Sequence, residues 1–390
     1  MGETIQNRFG RRVLGRRRVA SILLWLLPAV TGCATVGPDY HTPQFPHPGQ
    51  WKNISTEAQH HNARELAQWW QVLNDPMLTR LLQQAAAGNT DVREAVSKVR
   101  EARLRRLTSR SALFPALHAN GSARKSRQDG ADGATVDSEL YSAGFDAGWE
   151  LDLFGGVRRS VEASKADLEA EIEGLNDVMV TLLAEVAVNY IDLRTYQTRL
   201  AVARRNLSTQ KETWALVDAL ARAGSGDELA VAQARYSLES SRAKIPDLET
   251  GLEGVMNRLA VLTGRPAGAL HDELAKTGPI PRVSIDLAVG VPADVIRRRP
   301  DIRRAERELA AQTARIGEAE ADLYPSFSMT GSIGLEAVSL DKLFSSATRR
   351  WSFGPSFSWP IFDAGAIRNK IKVQTELREQ TLIRYEAVIL

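Results

Sequence analysis

The run Tyr141-Ser142-Ala143-Gly144-Phe145-Asp146-Ala147-Gly148-Trp149-Glu150-Leu151-Asp152-Leu153 alternates strictly, and Gly155-Gly156 follow it almost at once. The odd positions are apolar or aromatic and the even ones are small, polar or acidic. That period of two describes a strand with one greasy and one wet face. Beyond the glycines the period becomes seven. Val161, Leu168, Leu175 and Leu182 form one stripe, and Ile172, Met179, Val186, Leu193, Leu200, Leu207 and Trp214 form a second. Stripes a heptad apart make a coiled-coil seam. An unbroken helix over 157–222 would be roughly 100 Å long at about 1.5 Å per residue, so the chain is elongated: mainly α, with a little strand.

Composition agrees with a chain that leaves the cytoplasm. The 390 residues carry a net charge of +3. Arg8, Arg11, Arg12, Arg16, Arg17 and Arg18 against Glu3 place +5 of it in the first 32 residues, which leaves −2 on the remainder. A basic start followed by an apolar core over 19–30 reads as a signal peptide, residues 1–32. The basic balance belongs to targeting, and nucleic-acid binding is not expected. The segment closes on Val30-Thr31-Gly32-Cys33, and Cys33 is the only cysteine, so a disulfide within the chain is excluded. This ending resembles a bacterial lipobox, which implies a covalent lipid, palmitate included, on Cys33. Ala34 after the cysteine favours the outer membrane by the same resemblance.

Residues 33–73 carry Pro38, Pro43, Pro46 and Pro48 and read as an extended, solvated tether behind the lipid anchor. The first repeat unit spans 74–263. It opens on one helix from about Asp75, ending before Pro115, then strands near 116–125 and 140–153 separated by a charged loop. The long helix 157–222 and a return helix 227–263 follow. The turn Ala223-Gly224-Ser225-Gly226 joins the two, Asp227 supplies an N-cap, and Leu238, Ile245, Leu252 and Leu259 continue the seam. Pro246 should kink or break the return. Residues 264–292 lack long periodicity and form a connector.

The pattern then starts again. Asp91-Val92-Arg93 matches Asp301-Ile302-Arg303, Leu113-Phe114-Pro115 matches Leu323-Tyr324-Pro325, Trp149 matches Trp359, and Gly155 and Arg158 match Gly365 and Arg368, each 210 residues apart. The chain is a tandem duplication. The second unit, 293–390, has strands near 326–335 and 351–362 and the start of a long helix. Leu390 corresponds to Val180, inside the first long helix, so the second hairpin is expected to be incomplete and the sequence C-terminally truncated, whether as a fragment, a truncated reading frame or a unit that has lost its hairpin.

Two strands per unit make four, and a four-stranded sheet has two open edges. In hydrocarbon an unpaired amide costs several kcal/mol, and closed bacterial barrels begin at about eight strands. If lipid covers the apolar face, other copies must complete the sheet. A soluble sandwich would bury that face in its own core, but it leaves the signal segment, anchor and rods without a common cause.

Four stretches carry a family resemblance: Val36-Gly37-Pro38-Asp39-Tyr40-His41-Thr42-Pro43; Trp149-Glu150-Leu151-Asp152-Leu153-Phe154-Gly155; Arg298-Arg299-Pro300-Asp301-Ile302-Arg303-Arg304-Ala305-Glu306; and Trp359-Pro360-Ile361-Phe362-Asp363. The chain resembles the outer-membrane factor (TolC-like) family, and within it the NodT-like efflux lipoproteins of resistance-nodulation-division systems. The resemblance implies a homotrimer with a twelve-stranded β-barrel in the outer membrane and an α-barrel across the periplasm. It also implies contact with a periplasmic adaptor (membrane fusion) protein and an inner-membrane transporter. Gly224, Ser225, Gly226, Asp227, Glu228 and Leu229 would be the periplasmic tip that meets the adaptor. The alternation turns Asp146, Glu150 and Asp152 toward the barrel lumen, where carboxylates favour cations.

Enzyme motifs do not assemble. Lys276-Thr277-Gly278 and the Ser-x-x-Lys matches Ser122 to Lys125 and Ser241 to Lys244 sit in a connector, a strand and a coiled coil. His60-His61 has no metal-ligand partners at a suitable spacing, and no phosphate loop is present. No cofactor beyond the lipid is expected. The competing role is a lipid-anchored periplasmic coiled-coil scaffold without a pore.

Overall fold

A computed structural model describes residues 35–45, 68–129, 135–282 and 297–390. The signal segment, Cys33 and His60-His61 lie outside the described residues. After a 3-10 turn at Trp69–Leu73 come α1 (Pro76–Gly88) and α2 (Thr90–Ser111). The single helix expected here is two. Asn89 is extended (ψ 137°), and its side chain accepts from the Asp91 and Val92 amides at 2.8 and 3.2 Å while donating to the Leu262 carbonyl at 3.1 Å. One residue therefore caps α2 and pins it to a distant helix end. Asp75 caps α1 through the Met77 and Leu78 amides, with Pro76 in the first turn.

The helix α3 (Gly156–Arg222) runs 67 residues without a break, and α4 (Glu228–Leu262) returns along it. The expected break at Pro246 is absent: α4 is one continuous helix through it. That proline is exposed, so water can take the carbonyl that loses its amide partner. The double stripe of α3 has a packing cause. This helix packs against α2 and the later helix α6 (Pro300–Ala321) as well as α4, and α1 meets it at the main core. Past Leu200 the less exposed positions Ala203, Leu207, Gln210, Trp214 and Val217 make a single seam. Ile172 leaves the stripe assigned to it and stands exposed.

The main core lies where α1, α3 and α4 cross, with Leu78, Leu81, Leu82, Val186, Tyr190, Leu193 and Leu259 buried together. The connector adds a short helix, α5 (His271–Leu274), whose Leu274 enters this core. A buried polar network locks the connector in place. Tyr190 Oη donates to Asp75 at 2.6 Å and accepts from Arg194, and Arg194 reaches the Lys276 carbonyl at 2.7 Å. A Cβ on Gly278 would lie 3.0 Å from the Arg194 guanidinium. The Lys276-Thr277-Gly278 run is thus a backbone latch for Arg194.

The sheet contains β1 (Ala116–Asp129), β2 (Thr135–Leu151), β3 (Ser326–Ala337) and β4 (Arg349–Ser358) in the order β1-β2-β3-β4, all antiparallel. The expected charged loop over 125–137 is mostly strand. Lys125 pairs with Glu139 and Arg127 with Asp137, each at 2.7 Å, so opposite charges face each other across the ladder. β2 ends at Leu151 and β4 at Ser358, earlier than the alternation implies. The final helix is α7 (Ala366–Ile389).

The 210-residue offset carries into the bonding. Ser122 meets Ser142 at 2.8 Å, and Ser332 meets Ser352 at 2.7 Å. Trp149 donates to the Leu113 carbonyl at 3.1 Å, and Trp359 to the Leu323 carbonyl at 3.0 Å. Gly155 and Gly365, both at φ 85°, cap α3 and α7.

Burial, and then the hydrogen bond to Asp75, push the Tyr190 hydroxyl up to about 12. The unfolded phenol ionises near 10. Its contribution is therefore complete below about pH 10 and is lost as pH rises through about 12, because the unfolded chain releases its proton first. Tyr190→Phe should cost about 1–3 kcal/mol at neutral pH and flatten the loss of stability above about pH 10. Helix unfolding followed by circular dichroism at several alkaline pH values checks both.

Candidate functional site

One face of the sheet carries Leu117, Phe145, Trp149, Leu151, Phe327, Ile333, Trp351, Phe353 and Phe357, placed by the strand registers. Among the described residues nothing covers this face where Ile333, Trp351, Phe353 and Phe357 stand exposed. Ten residues separate Tyr141 from Leu151. At about 3.3 Å each and a tilt near 40°, they make a band roughly 25 Å tall, the height of a lipid-facing girdle. An exposed apolar area of this extent on a single-layered sheet is a membrane surface.

The opposite face is polar. It carries His118, Asn120, Ser122, Ser142, Asp146, Glu150, Ser328, Thr330, Ser332, Ser352 and Ser356. Three serine pairs bridge strands, the third being Ser328 with Ser356 at 2.7 Å. Asn120 donates to Asp146, and Arg350 to Glu336. Asp146 and Glu150 share this face. Asp152 does not join them. It lies past the strand end and accepts from the Val157 and Arg158 amides at 3.2 and 2.9 Å and from the Arg158 guanidinium at 3.0 Å. Its charge is spent on the N-terminus of α3. The alternation missed this because a capping carboxylate one residue beyond a strand keeps the same parity.

The described part of the expected tether, residues 35–45, is docked and not solvated. The Val36 amide donates to the Phe154 carbonyl at 3.1 Å. Arg159, 3% exposed, donates to the Val36 and Gly37 carbonyls at 3.0 and 3.1 Å and pairs with Asp39 and Glu162, both at 2.8 Å. Gly37 is at φ +88°, and a Cβ there would lie 2.2 Å from the Gly317 Cα. Two glycines thus let two backbones touch. Tyr40 donates to Glu306 at 3.2 Å with Arg307 over its ring, and burial first of all raises its hydroxyl to about 12. Farther on, Phe45 meets Tyr385 edge-on. Comparing the repeats reveals this seat in the sequence: Arg159 and Gly317 have Asn369 and Leu107 as counterparts.

At the far end of the hairpin, Gly224 at φ +78° makes the turn, and Asp227 accepts from the Leu229 amide at 3.0 Å. A Cβ on Gly226 would lie 2.7 Å from the Ala221 amide nitrogen. Gly224, Ser225, Gly226, Asp227, Glu228 and Leu229 are all exposed and form one tip, with exposed Leu216, Leu220 and Tyr236 behind it. Among the described residues no group of three or more His, Cys, Asp or Glu is placed to hold a metal ion.

Residues 81–265 and 291–390 match the family described as Outer membrane efflux protein. The chain belongs to the outer membrane efflux protein family. It is 34% identical over 340 residues to Nodulation protein T of Rhizobium leguminosarum bv. trifolii, covering 87% of this chain and 72% of the relative. It is 31% identical over 363 residues to the probable outer membrane lipoprotein SilC of Salmonella typhimurium, covering 92% and 77%. The solved outer-membrane channel OprN superposes with a TM-score of 0.85 at 37% identity, covering 91% of this chain and 80% of that one. This efflux protein is mainly helical with four antiparallel strands, resides in the outer membrane and serves as the channel component of an efflux system, not as an enzyme.

Filling the glycine seat should release the tether. Gly317→Leu, which places the first repeat's residue at this position, is expected to increase proteolysis between residues 33 and 68 by an order of magnitude while α3 stays protected. Timed digestion followed by peptide mass spectrometry reads both.

Proposed function

We propose that this efflux protein is exported by its signal peptide and anchored by lipid on Cys33. Three copies then close a twelve-stranded barrel that conducts passively from a periplasmic adaptor and an inner-membrane resistance-nodulation-division transporter to the exterior. The observation that carries this reading is the bare, two-faced sheet with open edges at β1 and β4. A lipid-facing edge must find a partner, and the duplication supplies the register. Asp146 pairs with Ser332 where β2 meets β3 inside the chain. Moving both by the repeat length pairs Ser356 with Ser122 of the next copy. The lipoprotein among the relatives supports the anchor. The exposed apolar tip around Leu229 supports docking to the adaptor at residues 224–229.

Cross-strand neighbours lie within disulfide reach. The double variant Ser122→Cys, Ser356→Cys should give covalently linked trimers on mild oxidation, seen on a non-reducing gel. Asn120→Cys with Ser356→Cys, two residues out of register, should not. Linked dimers alone, or no linkage, would sink the ring.

Asp146 and Glu150 set the charge of the lumen in this reading. Asp146→Asn with Glu150→Gln is expected to lower the cation preference of single channels in a planar bilayer, moving the reversal potential in a salt gradient toward zero. A wild-type chain without conductance would favour a pore-free scaffold.

A further inference from the structure

The two repeats treat one helix face differently. On α6 the face carrying Glu306, Ala310, Gly317 and Glu320 lies under the tether: Tyr40 meets Glu306 and Ala310, and Gly37 lies against Gly317 and Glu320. Because the tether follows the lipid anchor, this face points out of the assembly, toward the membrane side. Moved back by the repeat length, the same face of α2 carries Val96, Arg100, Leu107 and Arg110, with Arg103 and Arg106 between them. Among the described residues no tether lies on it: Leu107 is exposed there and fills the place where Gly317 admits backbone.

The arginines of α2 divide in two. On the side away from this face, Lys98 pairs with Glu94 at 2.7 Å and Arg105 with Glu101 at 2.6 Å. Arg103, Arg106 and Arg110 have no ion pair among the described residues, and Arg103 and Arg110 are exposed. Their spacing, i, i+3 and i+7, puts all three on one stripe. Arg100 is set apart, because its counterpart Ala310 belongs to a cluster with Ala166 of α3, whereas Thr313, the counterpart of Arg103, lies on the tether-covered face. Arg110 also suits the C-terminus of its helix, which explains one cation but not three.

The stripe ends beside the membrane band. Phe114 is exposed, and Leu117, the first residue of the lipid-facing set, comes seven positions after Arg110. The headgroup layer is roughly 5–8 Å thick on each side of the bilayer, and the charge of a surface arginine reaches about 8–10 Å at physiological salt. Long arginine stems carry the head toward that layer, and the planar guanidinium matches phosphate oxygens two at a time.

We propose that Arg103, Arg106 and Arg110 form a second membrane contact: a seat for the phosphates of anionic phospholipid headgroups in the periplasmic leaflet. It lies on the repeat that has no lipid tether of its own. Each chain then grips the leaflet twice, covalently beside α6 and electrostatically beside α2. The site rests on the barrel reading above, since only that reading places α2 directly beneath the bilayer.

The test uses the full chain, extracted in mild detergent and examined by native mass spectrometry after addition of phosphatidylglycerol or phosphatidylcholine. The wild-type oligomer should retain phosphatidylglycerol several-fold more than phosphatidylcholine. Arg103→Gln, Arg106→Gln and Arg110→Gln together should abolish most of that preference at unchanged oligomer mass, and the corresponding triple Lys variant should keep most of it. If the Gln triple fails to assemble, Arg103→Gln and Arg110→Gln alone should each halve retention. Equal retention in wild type and Gln variants, equal retention of the two lipids, or displacement by millimolar inorganic phosphate would overturn the site. So would an acidic protein partner that protects these arginines in place of lipid. A wild type that forms no oligomer removes the barrel and the site together; an oligomer without lipid preference removes the site alone.

Discussion

A backbone amide in hydrocarbon must have a partner, and among the described residues the sheet of this outer-membrane efflux protein leaves β1 and β4 each paired on one side only. That constraint ranks above any side-chain contact, because each open edge strands a row of donors and acceptors at several kcal/mol apiece. Duplication resolves it economically. The β1–β2 and β3–β4 registers are identical after a shift of one repeat, so in the proposed ring the β2–β3 junction serves as the template for the contact between copies. The helices follow the same pattern: among the described residues α6 packs mainly on α3 and α7, and α2 mainly on α3.

Duplication alone would leave two equal seams per chain, and the sequence has made them unequal. Where the tether lies, glycine meets glycine and a buried arginine gathers two carbonyls and two carboxylates. At the matching place in the other repeat, leucine and asparagine stand instead. Repeats diverge where one copy acquires a ligand that the other lacks, and here the ligand is the chain's own N-terminal segment.

Much of this was legible in the sequence. Period two against period seven separates the strands from the rods, and the constant offset exposes the duplication without any structure. Misreadings arose where one residue serves two elements. Asn89 interrupts a helical periodicity that gives no sign of it, because the cap's side chain is buried against Leu262. Asp152 keeps strand parity while capping a helix. Lys125, Arg127, Asp137 and Glu139 look like loop residues singly and form a ladder only when paired. The docking of the tether depends on two glycines 280 residues apart in the sequence, a coincidence that periodicity does not register. The polar face was read through its carboxylates, whereas hydroxyls dominate it.

Those hydroxyls bear on how a conduit differs from a receptor. In each cross-strand serine pair one hydroxyl donates a hydrogen bond to the other, so if this face lines the proposed barrel, much of its hydrogen-bonding capacity is already spent within the sheet. Such a surface wets readily but holds nothing for long. In the proposed barrel a solute moving past such a face would exchange water for water, with few deep wells to climb out of.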